Sequence, residues 1–525
     1  MVAQTASGAA RALPRRSLGG LIAISIFWFA LNFHWTALLF IIVPDQVQGL
    51  LFHEAAGATL AAQAAFVRQQ KDLVLGVVVA PGLIVALVTN PLFGLLSDRT
   101  RGRFGRRRPY VVGGTLLNVA GLLCMALVPS MLGGRTGNPL APSILALIAG
   151  LMLTQFANNA AAAPFHALLP DLVPQEQLGT ASGIMGLAQL FGTIGGFLMP
   201  SLFGFDATKL LGGAQSLTAY HAGIAGAYYV VAVVIVVMAL LTAITVREHP
   251  LNEPRDATAS PDTVRHTWRD LIVTVLAVVV VAAGGIALLQ ARIGLSLDKY
   301  SVSGIELIVV LVAGFGAARA FDFRPRRSPD FTWVVVTRML VMMGINLVSL
   351  FLLYYMQDVA KAPSAEAATS FFGVILTITA TLSTFFAGAA SDRFGKKKMV
   401  YLSGALMATV GAAFILAPYL LPGHVLTAAY VAGAVYGLGY GAYISVDWAL
   451  VAAVLPSGKT FARDMGIWNI GVTIPQVLAA VFGGWMLSVG LALGSQLLGY
   501  TLIFGSFVFF CVAGTVTVRY IKGTN

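Results

Sequence analysis

Charge is what this sequence has least of. Asp, Glu, Lys and Arg make up 10% of its 525 residues, against about 25% in an ordinary soluble domain. A soluble enzyme is therefore disfavoured. With 58% hydrophobic residues, a disordered or collagen-like chain is excluded as well. Cysteine is scarce too. Cys124 and Cys511 both sit in apolar runs without metal-ligand spacing, so they read as small packed hydrophobes. The seven histidines form no H-E-x-x-H pair. No G-x-S-x-G elbow and no G-x-x-x-x-G-K-[ST] phosphate loop occurs. These absences argue against an enzyme, a bound cofactor, a metal site and an ATP-driven pump. A cleavable secretion signal is not expected either. The apolar run behind Arg11, Arg15 and Arg16 is too long for one and reads as a retained first span.

What the sequence has in abundance is apolar runs of spanning length, and its mean hydropathy is +0.84. Runs cover 19–43, 73–96, 110–130, 142–165, 178–203 and 222–246, then 270–290 and 302–320, then 332–356, 368–390, 399–420, 425–451, 463–488 and 495–518. Each holds about 20 residues or more, the length a helix needs to cross roughly 30 Å of hydrocarbon. Barrel strands would be about 10 residues long and alternating, and nothing here alternates. The expectation is an all-α polytopic membrane protein with fourteen transmembrane helices. It divides into a six-helix bundle over 1–246, a linker and inserted hairpin over 247–331, and a second six-helix bundle over 332–525. Segment 44–71 is expected to be an external loop with a short surface helix.

Lys and Arg exceed Asp and Glu by 33 to 21. The excess clusters in short loops, at Arg99 to Arg108, Arg324 to Arg327 and Arg393 to Lys398. This is the positive-inside pattern, with both termini cytoplasmic. A nucleic-acid face would gather the charge on one surface, so no nucleic-acid partner is expected.

The two halves repeat. Gly94-Leu95-Leu96-Ser97-Asp98-Arg99 precedes Phe104-Gly105-Arg106-Arg107-Arg108. In the second half, Gly388-Ala389-Ala390-Ser391-Asp392-Arg393 precedes Phe394-Gly395-Lys396-Lys397-Lys398. Two spans later, Ala167-Leu168 with Pro174 matches Ala449-Leu450 with Pro456 at equal spacing. Parallel repeats of this kind place a substrate site between the halves near the midplane. The loop reads as a gate. Gly94 and Gly388 would let helices approach closely. Asp98, Arg99, Arg106, Arg107, Asp392 and Arg393 would form charged latches at helix ends.

These residues resemble the major facilitator superfamily over nearly the whole chain apart from the central hairpin. The stretch from Ser97-Asp98-Arg99 through Arg103-Phe104-Gly105-Arg106-Arg107-Arg108-Pro109-Tyr110 is similar to the glycoside–pentoside–hexuronide cation symporters and the related sucrose/proton symporters. Ala157-Asn158-Asn159, Pro164, Ala167-Leu168-Leu169 and Asp171-Leu172 agree with the sucrose group. The resemblance implies the superfamily fold, alternating access and proton coupling. It also departs. Gln155 stands where the sucrose group has an acid, and His166 where it has an arginine. Ala86 and Asn90 stand where sodium-coupled members carry acidic ligands, so a sodium site is not supported.

Ionisable and polar residues inside spans are the functional candidates. For proton coupling they are Asp447 first and His166 second. The competing reading of Asp447 is an ion pair with a basic residue such as Arg338. Substrate-cavity candidates are Asn32, His34, Trp35, Gln155, Asn158 and Asn159 in the first half. In the second they are Asn346, Tyr354, Trp468, Asn469 and Gln476. For each, an interhelical hydrogen bond or an interface anchor is the rival role. Glu306 reads as a headgroup-level residue. The expected protein is a monomeric secondary transporter of the plasma or inner membrane, with protons and a small solute such as a sugar or glycoside as its partners. A proton-antiport exporter of an amphipathic compound and a non-transporting receptor or assembly factor on the same fold are the alternatives.

Overall fold

A computed structural model describes residues 14–100, 104–132, 138, 140–174, 177–246, 248, 269, 273, 299–320, 325–326, 328–454 and 461–522. Among them, twelve helical segments are long and apolar enough to cross a membrane, the first being Leu18–Glu54 and the last Gln496–Tyr520. The chain is an integral membrane protein. In the first half the helices are α1 Leu18–Ala37, α2 Val43–Glu54, α3 Leu60–Arg99, α4 Arg108–Leu132, α5 Pro142–Leu172, α6 Leu178–Leu198, the short α7 Ala207–Leu211 and α8 Leu217–Thr245. α9, Lys299–Ala320, follows. The second half holds α10 Pro329–Asp358, α11 Ala365–Phe394, α12 Lys396–Leu420, α13 Val425–Val454, α14 Phe461–Ala492 and α15 Gln496–Thr517.

Local chemistry sets the helix ends. Ser17, Thr59, Ser216 and Ser495 cap α1, α3, α8 and α15 through their hydroxyls. Pro142 and Pro329 open α5 and α10, where a missing N–H costs nothing. Between α1 and α2 the backbone loosens into a π-turn over Leu38–Ile42, directly before Pro44. A proline there has no N–H to donate and crowds the preceding turn, and the wider turn accommodates it. The first span therefore runs on to Glu54, and α3 is continuous from Leu60 through the second span. The expected external loop over 44–71 is instead helix on both sides of a short turn.

The packing repeats with the sequence. In the first half, α5 packs on α3 and α4, α1 on α6 and α8, and α4 on α8. In the second half, α13 packs on α11 and α12, α10 on α14 and α15, and α12 on α15. The halves meet where α3 lies on α14 and α6 on α11. Glycines bring these backbones together. A Cβ at Gly484 would meet the Asp72 carbonyl oxygen at 2.7 Å, and Gly76 faces the Ala480 carbonyl as closely.

Twelve of the fourteen expected spans are among these membrane-crossing segments. The 302–320 span is present as α9, which lies along the seam between the halves on α3 and α14. Its Glu306 is buried, not at a solvated headgroup level. The 270–290 span lies outside the described residues.

Candidate functional site

The C-terminal end of α3, the N-terminal end of α4 and Gly395 mark one end of the bundle, called here the basic end. The halves are joined by polar contacts at the opposite, far end. Lys71 of α3 donates to Asp358 Oδ1 at 2.9 Å and to Gln357 Oε1 at 3.0 Å, both on α10. The Lys71 and Asp358 side chains are 0% and 6% exposed, so this is a desolvated ion pair between halves. Tyr500 donates to Asp358 Oδ2 at 2.6 Å. Tyr354, under the Lys71 ammonium at 4.4 Å, donates to the Pro44 carbonyl at 2.9 Å. Ser370 of α11 donates to the Phe197 carbonyl of α6 at 2.6 Å. These contacts place Tyr354 in the seal between halves rather than on a cavity wall.

Away from the seal, polar side chains gather on α1, α5 and α6. Trp28 Nε1 donates to Gln189 Oε1 at 3.3 Å, and His166 stands edge-on to the Trp28 ring with centroids 4.8 Å apart. Asn32 donates to the Trp28 carbonyl at 2.8 Å. His166 and Gln189 are exposed although both lie within spans. Polar side chains within spans generally face the bundle interior or a water-filled cavity. Two turns along α5 from His166, Asn90 donates to Asn159 Oδ1 at 2.9 Å, tying α3 to α5. Asn159 donates in turn to the Gln155 carbonyl, and Asn158 Oδ1 is buried without a donor among the described residues.

In the second half one ion pair dominates. Arg338 of α10 bonds to Asp447 of α13, and Tyr443 donates to Asp447 Oδ1 at 3.3 Å. The guanidinium lies 3.3 Å over the Trp468 ring on α14. Three helices are thus joined around one buried charge pair. Asn346 is half-buried and donates to the Met342 carbonyl, and Gln476 is half-buried on α14. Asn469 lies on helix α14, and its side chain is outside the described residues.

The remaining candidates divide. His34 is fully buried, with neither ring nitrogen partnered among the described residues, and it packs edge-on to Trp35 at 4.5 Å. It lies in the α1 core rather than on an accessible wall. At the basic end, Arg106 and Arg107 pair with Asp171 at 2.5 and 3.3 Å, and Arg107 donates to Ser97 Oγ. The backbone N–H groups of Arg106, Arg107 and Arg108 converge on the Glu248 carboxylate at 2.7–3.1 Å. This is a carboxylate held at a helix N-terminus, where unpaired N–H groups and the dipole favour it. These bonds tie the start of α4 to α3, to α5 and to Glu248, just after α8. The side chains of Asp98, Arg99 and Asp392, and the surroundings of Gly388, are outside the described residues. Among the described residues nothing lies within 4 Å of a Cβ built on Gly94. Arg393 is exposed at the end of α11.

Sequence reading missed Trp28, Gln189, Glu248 and the Lys71–Asp358 pair. Trp28 was readable as an aromatic one turn before Asn32. The partners of Lys71 and Glu248 are set by tertiary structure, which no local pattern carries.

Comparison with known proteins agrees with this architecture. Residues 70–303 match the MFS/sugar transport protein family, and residues 334–524 match the Major Facilitator Superfamily family. Sucrose transport protein SUC4 of Arabidopsis thaliana is 28% identical over 175 residues, 32% of this chain and 34% of that protein. The human proton-associated sugar transporter A is 30% identical over 184 residues, 34% of this chain and 23% of that protein. The matched part therefore spans about a third or less of these relatives. Among solved structures, the Escherichia coli xylose transporter XylE in a partially occluded inward-open conformation has a TM-score of 0.59 at 14% identity, covering 97% of this chain and 98% of that one. A POT family transporter in complex with 5-aminolevulinic acid has a TM-score of 0.65 at 14% identity, covering 97% and 99%. With both halves matched by its family models, and with its two repeated six-helix bundles, the chain belongs to the major facilitator superfamily.

Proposed function

We propose that this protein is a secondary transporter that carries a sugar or glycoside together with protons by alternating access. The observation that carries the reading is the group of half-buried Trp28 and Asn32 with exposed His166 and Gln189. It offers an aromatic face with amide and imidazole groups inside the membrane span, which suits a polar ring. The sucrose and proton-associated sugar transporters among its relatives support the sugar. The far-end seal fits a carrier closed on one side. Asp447, held by Arg338, is the coupling carboxylate, and His166 is the secondary candidate. In this reading Asp98, Arg99, Asp392 and Arg393 latch the basic ends when the far end opens. The domains are 1–246, 247–331 and 332–525. The basic end and both termini are cytoplasmic, in a plasma or inner membrane.

The test is uptake into proteoliposomes over a panel of sugars and glycosides under an imposed pH gradient, beside counterflow without one. Trp28→Ala and His166→Ala should reduce both. Asp447→Asn should abolish concentrative uptake and keep counterflow. A panel with no pH-driven uptake would refute the symport reading. Single cysteines near Asp256, Asp298 and Arg326 test the hairpin: an impermeant reagent should label only the one near Asp298 from outside.

A further inference from the structure

The far-end seal contains a second kind of contact, made of acids alone. Asp45 follows Pro44 in the first turn of α2, in the first half. Glu366 lies in the first turn of α11, in the second half. They are 0% and 2% exposed, and their carboxyl groups lie within hydrogen-bonding range of each other across the interface. Donors are supplied, but not enough of them. Asp45 Oδ1 accepts from the Ala207 N–H at 3.0 Å, and Oδ2 accepts from the Tyr220 hydroxyl at 2.8 Å. Glu366 Oε2 accepts from the Ser364 hydroxyl at 2.9 Å. Glu366 Oε1 is buried with no donor among the described residues.

The surrounding charges do not neutralise the pair. From α8 it is faced by Tyr220, from the α7 turn by Asp206, and from α10 by Tyr354. His221, beside Tyr220, stands 5.9 Å from His53, ring to ring. Lys209 is taken by Asp206 at 3.7 Å, and Lys71 by Asp358. Asp72 and Asp358 add negative charge toward Tyr354. Among the described residues no cation reaches the pair, and two buried carboxylates in contact repel each other in a medium that screens little. One proton between them removes the repulsion and supplies the donor that Glu366 Oε1 lacks.

We propose that Asp45 and Glu366 form a proton-binding site shared between the two halves, and that holding one proton closes the far-end gate. Loss of that proton leaves two facing carboxylates and drives the halves apart at this end. Because the closed gate holds the proton and the open gate exposes both acids to water, raising the pH favours far-end opening. A one-proton site changes the open-to-closed ratio by at most about tenfold per pH unit. In the symport reading, on which only its physiological use rests, a proton arriving from the far side is what lets the gate shut behind the substrate.

Spin labels at exposed far-end positions, Thr218 in the first half and Leu421 in the second, read the gate without any substrate. In the wild type the long-distance population should grow from pH 5 to pH 8.5. Asp45→Asn and Glu366→Gln each replace a shared proton with a permanent amide donor, so each should stay in the short-distance population across that range. Glu366→Gln guards against misfolding at the more enclosed Asp45. A wild-type distribution unchanged between pH 5 and 8.5, or amide variants that keep the wild-type response, would overturn the site. If the variants lock the gate while no sugar is taken up by the wild type, the site stands and the symport reading fails.

Discussion

Helices α5 and α13 hold the same place in the two repeats, each packed on the two helices before it, yet they carry charge at different depths. In the register that aligns Ala167 with Ala449, Asp171 faces Ala453 and Phe165 faces Asp447. The first half puts its carboxylate at the loop, where Asp171 and Glu248 hold Arg106 and Arg107. The second half puts its carboxylate inside the span, clamped by Arg338 and backed by Trp468. Duplication preserved the packing and let the chemistry diverge. One half ties its basic end together with carboxylates, and the other holds a buried charge pair inside the span, where an unpaired charge is costly.

The largest effect should come from breaking the deep pair. Asp447→Ala leaves Arg338 buried and uncompensated, and removal of one partner of such a pair costs about 3–5 kcal/mol. Replacing both, Arg338→Met with Asp447→Leu, should restore most of that stability while leaving proton-driven uptake lost. Thermal unfolding in detergent beside pH-driven uptake separates the two. A double variant that still concentrates substrate would make the pair purely structural.

The next effect belongs to the other half. Glu248→Ala removes the acceptor of three backbone N–H groups, and hydrogen bonds to a charged group are worth about 1.5–3 kcal/mol. The loop at Arg106–Arg108 should become more sensitive to trypsin, while cleavage at Lys396–Lys398 stays unchanged. Equal sensitisation of both loops would show that the halves are not independent supports.

How much of this was legible in the sequence follows the same division. The repeat, the spans and the membrane class were readable because hydrophobic length and the Gly–Ser–Asp–Arg pattern are local. Asp447 was readable because an acid inside an apolar run is conspicuous, and Arg338 was already its rival partner. The far-end seal was not. Asp45, Lys71, Asp358 and Glu366 sit near the ends of apolar runs, where charged residues are unremarkable. Only the meeting of α2 with α11 and of α3 with α10 turns them into buried pairs. Tyr354 and His34 went astray for a related reason. Residue type suggests a cavity, but the direction a side chain takes from its helix is set by neighbours.

Asp98→Asn sharpens the comparison at the basic end. If Asp98 latches these ends when the far end opens, its loss should favour the basic-end-open state. About 1.4 kcal/mol would change the ratio of states tenfold. Labels on the basic ends of α5 and α13 should then show a larger long-distance population, with unfolding temperature little changed. Unchanged distances would remove the latch and leave the loop as support alone.

The smallest effect compares one turn in its two copies. Gly105 and Gly395 follow Phe104 and Phe394 and have φ of +93° and +91°, a region that side chains adopt at a cost of about 1–3 kcal/mol. The repeated glycine is thus explained by backbone geometry. The copies differ in their surroundings: a Cβ on Gly105 would meet Glu248 at 2.9 Å, whereas one on Gly395 would have open space. Gly395→Ala should therefore show the conformational cost alone, and Gly105→Ala that cost plus displacement of the Glu248 carboxylate. In a Glu248→Ala background the second term vanishes, so the two alanine substitutions should become equal. Thermal unfolding of the five variants closes this cycle, and its coupling term isolates what the carboxylate adds. A Gly105→Ala penalty that stays larger without Glu248 would place the extra cost in the backbone and not in the carboxylate.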